Sequence, residues 1–167
     1  MLIRRTAVAR MAPELYPETL PGARATDSDV AAARDRLRFD LDAQHEALLR
    51  EGDGWVDAFA HGDVLSTADL GAGPRWERAG VLLASYYEDG PARGFPPRDH
   101  IYPIHVSDNA VFVIDRSGPA TDGGQPVYWL SVELLGAWPN VSEYWLAGLT
   151  MLDQLATRIA ADVGRNG

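Results

Sequence analysis

The sequence predicts an α+β domain, with an N-terminal helical hairpin and a long C-terminal helix packed on a mainly antiparallel sheet. Three observations lead there. Capped segments with helical apolar spacing occupy residues 26–51. Short β-branched and aromatic runs, separated by Gly, Pro and Asn turns, fill the middle at spacings too short for helical crossovers. From Val141 to Val163 apolar residues recur at helical spacing. Helices before and after a run of strands give α+β rather than alternating α/β architecture. The chain has 167 residues, enough for one domain with a sizeable core and no disulfide or metal staple.

The first eleven residues, Met1-Leu2-Ile3-Arg4-Arg5-Thr6-Ala7-Val8-Ala9-Arg10-Met11, have no continuous apolar stretch of secretory length, so no signal peptide is expected. They read as a loosely ordered leader or an early strand, ahead of one domain over residues 12–167. Pro13, Pro17 and Pro21 make the next stretch extended or turn-like. Thr26 and Asp29 have capping-box spacing, with Asp replacing the usual Glu or Gln. They start a helix over about Asp27–Leu37 whose Val30, Ala33 and Leu37 face the core. Asp40 or Asp42 caps a second helix running to about Glu51, with Leu41, His45, Leu48 and Leu49 inward. Gly52-Asp53-Gly54 ends it, since glycine accepts the left-handed conformation common at helix ends. The two helices form a hairpin.

Val64-Leu65-Ser66 has a little strand character, and Val81-Leu82-Leu83-Ala84-Ser85-Tyr86-Tyr87 has more. Residues 90–97 are a Gly/Pro loop. Ile101-Tyr102-Pro103-Ile104-His105-Val106 reads as an edge strand, because Pro103 cannot donate to a ladder. Ser107-Asp108-Asn109 turns the chain into Val111-Phe112-Val113-Ile114-Asp115, a buried-type strand. A second Gly/Pro loop at residues 118–126 leads to the strand Val127-Tyr128-Trp129-Leu130. Asn140 or Ser142 caps the last helix, with Glu143 in its first turn. Its stripe is Val141, Tyr144, Trp145, Gly148, Leu149, Leu152, Leu155, Ala156, Ile159 and Val163, and Gly164 and Gly167 are expected past its end.

Composition excludes several chemistries. With no cysteine there are no disulfides, thiol nucleophiles, thiolate zinc sites or iron–sulfur clusters. All 15 positive charges are arginine, so a lysine phosphate loop and a lysine Schiff base are impossible. No Gly-x-Ser-x-Gly elbow occurs, and Gly52-x-Gly54 and Gly71-x-Gly73 are isolated turns. The histidines are His45, His61, His100 and His105, without a His-Glu-x-x-His pattern. His100 and His105, five apart, would face opposite sides of a regular strand, and His45 lies on the inner face of its helix. Asp40-x-Asp42 is followed by Ala43-Gln44-His45, where a calcium loop needs another oxygen ligand and glycine. No metal, cofactor or catalytic set is expected. The one enzymatic alternative, an Asp/His hydrolase, needs Asp99, His100 and Asp115 to converge in one pocket.

The net charge of −9 opposes nonspecific binding to nucleic acid and suits solubility or a basic protein partner. No uncharged apolar run reaches membrane-spanning length, and a cytoplasmic location is expected. Residues 40–63 concentrate the acidity: Asp40, Asp42, Glu46, Glu51, Asp53, Asp57 and Asp63 against Arg50 alone. Within them, Trp55 is expected to plug the core beneath the glycine turn rather than project as an anchor. Some of the surrounding acids are expected to face a partner. Asp53, Asp57, Asp63, Glu88 and Asp89 are the candidate contacts, and charge reversal there is expected to weaken binding without unfolding. Trp129, Trp138 and Trp145 are assigned to the core. Trp76, between Arg75 and Glu77, lies on the surface or over a sheet edge.

Several segments together resemble the SUKH superfamily, the Smi/Knr-type domain also found in bacterial immunity proteins. Ala25-Thr26-Asp27-Ser28-Asp29-Val30-Ala31-Ala32-Ala33 is similar to its first helix, and Leu41-Asp42-Ala43-Gln44-His45-Glu46-Ala47-Leu48-Leu49 to its second. Glu51-Gly52-Asp53-Gly54-Trp55 looks like the family's turn, with Asp53 where Asn is frequent; Asp42 stands where Pro is frequent. Val111-Phe112-Val113-Ile114-Asp115 and Pro126-Val127-Tyr128-Trp129-Leu130 resemble its paired strands, and Val141-Ser142-Glu143-Tyr144-Trp145-Leu146 its closing helix. The likeness spans about residues 22–160. It implies an α+β fold without an active site and a role as an antidote that neutralises a toxin, often a nuclease. It carries no shared catalytic or contact residues. The alternative is a regulatory or scaffold module that binds an endogenous protein.

Overall fold

The computed structural model describes residues 1–59 and 62–166, with side chains described through residue 162. Three helices precede the sheet: α1 (Leu2–Met11), α2 (Asp27–Leu37) and α3 (Ala43–Glu51). Thr26 and Asp29 form the expected reciprocal cap of α2. Thr26 Oγ1 accepts from Asp29 N–H at 3.3 Å, and Asp29 Oδ2 accepts from Thr26 N–H at 2.8 Å. Asp42 is the cap of α3, its Oδ1 accepting from the N–H groups of Gln44 and His45 at 3.0 Å. Its Oδ2 takes the Gln125 N–H at 2.7 Å, which ties the same cap to the 118–126 loop.

Six strands follow: β1 (Trp55–Phe59), β2 (Gly62–Val64), β3 (Ile101–Ser107), β4 (Val111–Asp115), β5 (Val127–Leu130) and β6 (Leu134–Trp138). Each pairs antiparallel with the next, so the sheet order is the chain order, a meander as the short spacings predicted. Helix α4 (Gly73–Tyr86) is inserted between β2 and β3, and α5 (Val141–Asn166) closes the chain. All five residues of β4 are buried, so both faces of the sheet centre are covered. The Phe112 ring meets Tyr144 of α5, with centroids 5.4 Å apart, and α4 packs on β3 and β4. Burying Val, Ile and Phe contributes about 1.5–3 kcal/mol per side chain, so this double-sided strand is the centre of the core.

Five expectations need correction. Residues 1–11 are neither a leader nor a strand. They form α1, which packs against α5 with Arg5, Val8 and Ala9 buried. The arginines that disguise the segment find partners far along the chain, Arg4 on Asp153 at 2.6 Å and Arg5 on Asp57 at 2.8 Å. The 81–87 run belongs to α4, not to a strand. A short apolar run suits either state; here Pro74 sits in the first turn, and Ala79 and Leu83 are buried one turn apart. The Ile101–Ser107 strand is interior rather than an edge. Pro103 is tolerated because β2 pairs only with residues 105–107, leaving no strand opposite Pro103 on that side. Gly52 is extended at φ −169°, and the left-handed residue of the turn is Gly54, at φ 78°. Gly164 lies inside α5, while Gly167 falls outside the described residues.

Asn140 caps α5, its Oδ1 accepting from Glu143 N–H at 2.9 Å. Ser142 instead donates its N–H and hydroxyl to Gln44 Oε1, which pins α5 to α3. The helix crosses β1 closely at Gly148, where a Cβ would lie 2.9 Å from the Phe59 ring. The strand character at 64–66 shrinks to Val64, and β1 and β6 are strands the sequence reading lacks.

Candidate functional site

The glycine turn after α3 delivers β1, and β1 and β2 bring three of the predicted contact residues together. Asp53 lies in the turn. Its Oδ1 and Oδ2 accept from Thr67 N–H and Oγ1, both at 2.5 Å. Asp57 lies in β1 with φ 50°, a left-handed conformation that Asp adopts more readily than most residues. Its Oδ2 and backbone O hold Arg5, whose side chain is 2% exposed. Asp63 in β2 accepts from Asp57 N–H at 2.8 Å and from Arg75 Nε at 2.8 Å. Burial opposes ionisation of Asp63, but the bonds from Arg75 and Asp57 and the charges of Arg75 and Arg78 keep its pKa below the ordinary carboxylate value. Arg75 also reaches Asp69, which caps the following turn through Ser66 N–H.

These acids are therefore internal ligands of Arg5, Arg75 and Thr67. Glu88 and Asp89, just past α4, differ. Both are exposed, and neither carboxylate has an ion pair or side-chain hydrogen bond among the described residues. Trp55 is 5% exposed and donates its Nε1–H to Thr19 Oγ1 at 3.0 Å, so it does plug the core. Trp129 and Trp138 stack with Phe112, and Trp145 meets Phe59 edge-on, all against the core as expected. Trp76 is half-buried on α4 and packs against the core.

Of the hydrolase set, Asp99 Oδ2 lies 3.4 Å from His100 Nε2, and Asp115 pairs across the ladder with Ile101, the next residue. Asp115 is buried and its Oδ1 accepts from Ser117 N–H and Oγ, whereas Asp99 and His100 are exposed on a 3-10 turn (Arg98–His100). Two histidines have structural places. His45 Nδ1 lies 3.2 Å from Tyr102 Oη, and His105 Nδ1 lies 2.9 Å from Tyr144 Oη, all four rings fully buried. Burial pulls both histidine pKa values down to about 3 and pushes both tyrosines up. His61 lies outside the described residues. Among the described residues no group of three His, Asp or Glu is placed to hold a metal ion, and no helix is long and apolar enough to cross a membrane.

Sequence reasoning missed the two clefts on either side of Trp55. The first, about 180 Å³, is lined by Met1, Leu2, Pro21, Leu48, Glu51, Gly52, Gly54, Trp55, Val64 and Trp145. The second, about 210 Å³, shares Gly54, Trp55 and Val64 with it and is bounded by Leu20, Val56, Asp53, Asp69 and Arg75 among others. Leu2 in the first cleft is 41% exposed, and Leu20 and Val56 in the second are 66% and 49% exposed. The only available signal was the position of Trp55 directly after the glycine turn. No protein-family model matches the chain, and no curated protein matches it.

Proposed function

We propose that this chain is a non-enzymatic, cytoplasmic protein-binding domain of the immunity type. In this reading it neutralises a basic toxin domain, a nuclease for example, by covering its functional surface. The supporting observation is where the negative charge remains available. Asp53, Asp57 and Asp63 are engaged inside the fold, while Glu88 and Asp89 stand exposed and unpaired among the described residues. Free carboxylates of this kind speed association with a basic surface and add salt sensitivity. Asp115 is already held inside the fold by Ser117, which supports binding over hydrolysis. The resemblance of the capped helices and paired strands to SUKH domains supplies the toxin as the kind of partner.

The test is capture of the tagged protein from its native cytoplasm at low and moderate salt, with wild type beside Glu88→Arg/Asp89→Arg. The expected result is a stoichiometric basic protein whose toxicity the wild type suppresses and whose capture the double variant reduces. Capture of an acidic or non-toxic endogenous protein would sink the toxin reading and establish the regulatory module instead.

A further inference from the structure

Trp55 plugs the core as expected, and the turn that follows α3 leaves it lining two clefts rather than projecting as an anchor. We propose that the cleft between Trp55, Trp145, Leu48 and Leu2 receives an apolar side chain of the partner, Phe or Leu in size, and that Glu51 at its rim pairs with an adjacent Arg or Lys of that partner. This rests on the protein-binding reading above but not on Glu88 and Asp89.

Size, polarity and charge each point to that occupant. A dry cavity of about 150 Å³ accommodates benzene, so a cleft of about 180 Å³ suits one aromatic or large aliphatic side chain. Among the described residues, Glu51 is the only one that lines it with a charged side chain. Its present partner is Arg24 at 3.0 Å, with both side chains 73% exposed. Such a surface pair is worth about 0–1 kcal/mol, so a partner's cation can replace Arg24 with little loss. The exposed Leu2 on one side of Trp55, and Leu20 and Val56 on the other, extend the apolar surface beyond a single side chain. An apolar anchor inside a charged rim is the usual anatomy of a binding hot spot. An acidic or wholly polar segment would bring repulsion to Glu51 and leave the cleft unfilled.

The experiment follows the indole N–H signals of the protein by NMR during titration with three blocked pentapeptides: Ala-Arg-Phe-Arg-Ala, Ala-Arg-Ala-Arg-Ala and Ala-Glu-Phe-Glu-Ala. The Arg-Phe-Arg peptide is expected to shift Trp55 and Trp145 saturably. Replacing its Phe by Ala should weaken binding at least about tenfold, the scale for burying one large apolar side chain. The Glu-Phe-Glu peptide and the Glu51→Arg variant should bind more weakly as well. Leu48→Phe, which narrows the cleft with an apolar side chain, should abolish the shifts at unchanged Tm. Equal binding of the acidic and basic peptides, shifts away from Trp55 and Trp145, or no saturation overturns the proposal. A partner captured equally by wild type, Glu51→Arg and Leu48→Phe also overturns it while leaving the protein-binding reading intact.

Discussion

Asp57 and Asp63 on β1 and β2 each hold an arginine, and Asp53 beside them holds both polar groups of Thr67. Glu88 and Asp89, at the far end of α4, hold nothing among the described residues. The difference lies in what the fold brings opposite. Arg5, 2% exposed, arrives from α1 and needs its carboxylate to leave water, while the partly exposed Arg75 comes from the start of α4. Past the C-terminal end of α4, no arginine among the described residues pairs with Glu88 or Asp89. One acidic group is thus part of the protein's internal wiring, and the other is available to a second molecule.

The sharpest way to break this comparison is Asp57→Ala. Arg5 is 2% exposed and its Nη1 already has no hydrogen-bond partner among the described residues. Removing the carboxylate leaves a buried cation without its counter-charge, a loss of about 3 kcal/mol, the low end for such pairs because Asp57 is partly open to water. Asp57→Asn should lose less, because Asn tolerates the left-handed backbone at φ 50° and still offers an oxygen to Arg5. Urea denaturation checks both. An Asp57→Ala chain as stable as wild type would show that the acid is not structural and return it to the candidate contacts.

This pair also shows what the sequence could and could not reveal. Local signals were legible: the Thr26–Asp29 box, the Asp42 and Asn140 caps, and β4 and β5 where their β-branched runs lie. These depend on residues within a few positions of each other. The failures are long-range. Counting charge along residues 40–63 found Arg50 alone, whereas the groups that neutralise Asp57 and Asp63 lie at positions 5 and 75. Helix α1 was invisible for the same reason, since its stability comes from contacts with α5 and β1 and not from its own pattern. The Trp55 clefts are formed by residues from α1, the Pro21 stretch, α3, β1, β2 and α5, and no single window contains them.

A second test probes the core that both regions share. His45 and His105 are neutral in the fold, with pKa values pulled to about 3, against about 6.5 in an unfolded chain. Below pH 6.5 the unfolded chain takes up protons that the fold refuses. Their stabilisation is therefore complete above pH 6.5 and declines as pH falls toward 3, by up to about 1.4 kcal/mol per pH unit per histidine. The lowered pKa of Asp63 adds a loss only below about pH 4, as its carboxylate protonates. Urea midpoints should thus fall steadily between pH 6.5 and 4.5, and His45→Gln should make the slope about half as steep. A flat profile over that range would show that both rings take up a proton in the folded state.

The smallest expected effect on stability is the most informative about function. Glu88→Arg with Asp89→Arg changes two exposed side chains that bond to nothing among the described residues, so the free energy of unfolding should stay within about 0.5 kcal/mol of wild type. The same change at Asp57 and Asp63 would place cations against Arg5 and Arg75 and unfold the chain before any partner could be tested. Binding loss in an Asp57 or Asp63 variant is therefore uninterpretable alone, whereas loss in the Glu88/Asp89 variant reports on the interface. If that variant folds like wild type and associates with the basic partner more slowly, with weaker salt dependence, the free acids are the steering charges. If it folds like wild type and associates at the same rate, electrostatics plays no part at the end of α4, and recognition must come from an apolar surface such as the one flanking Trp55.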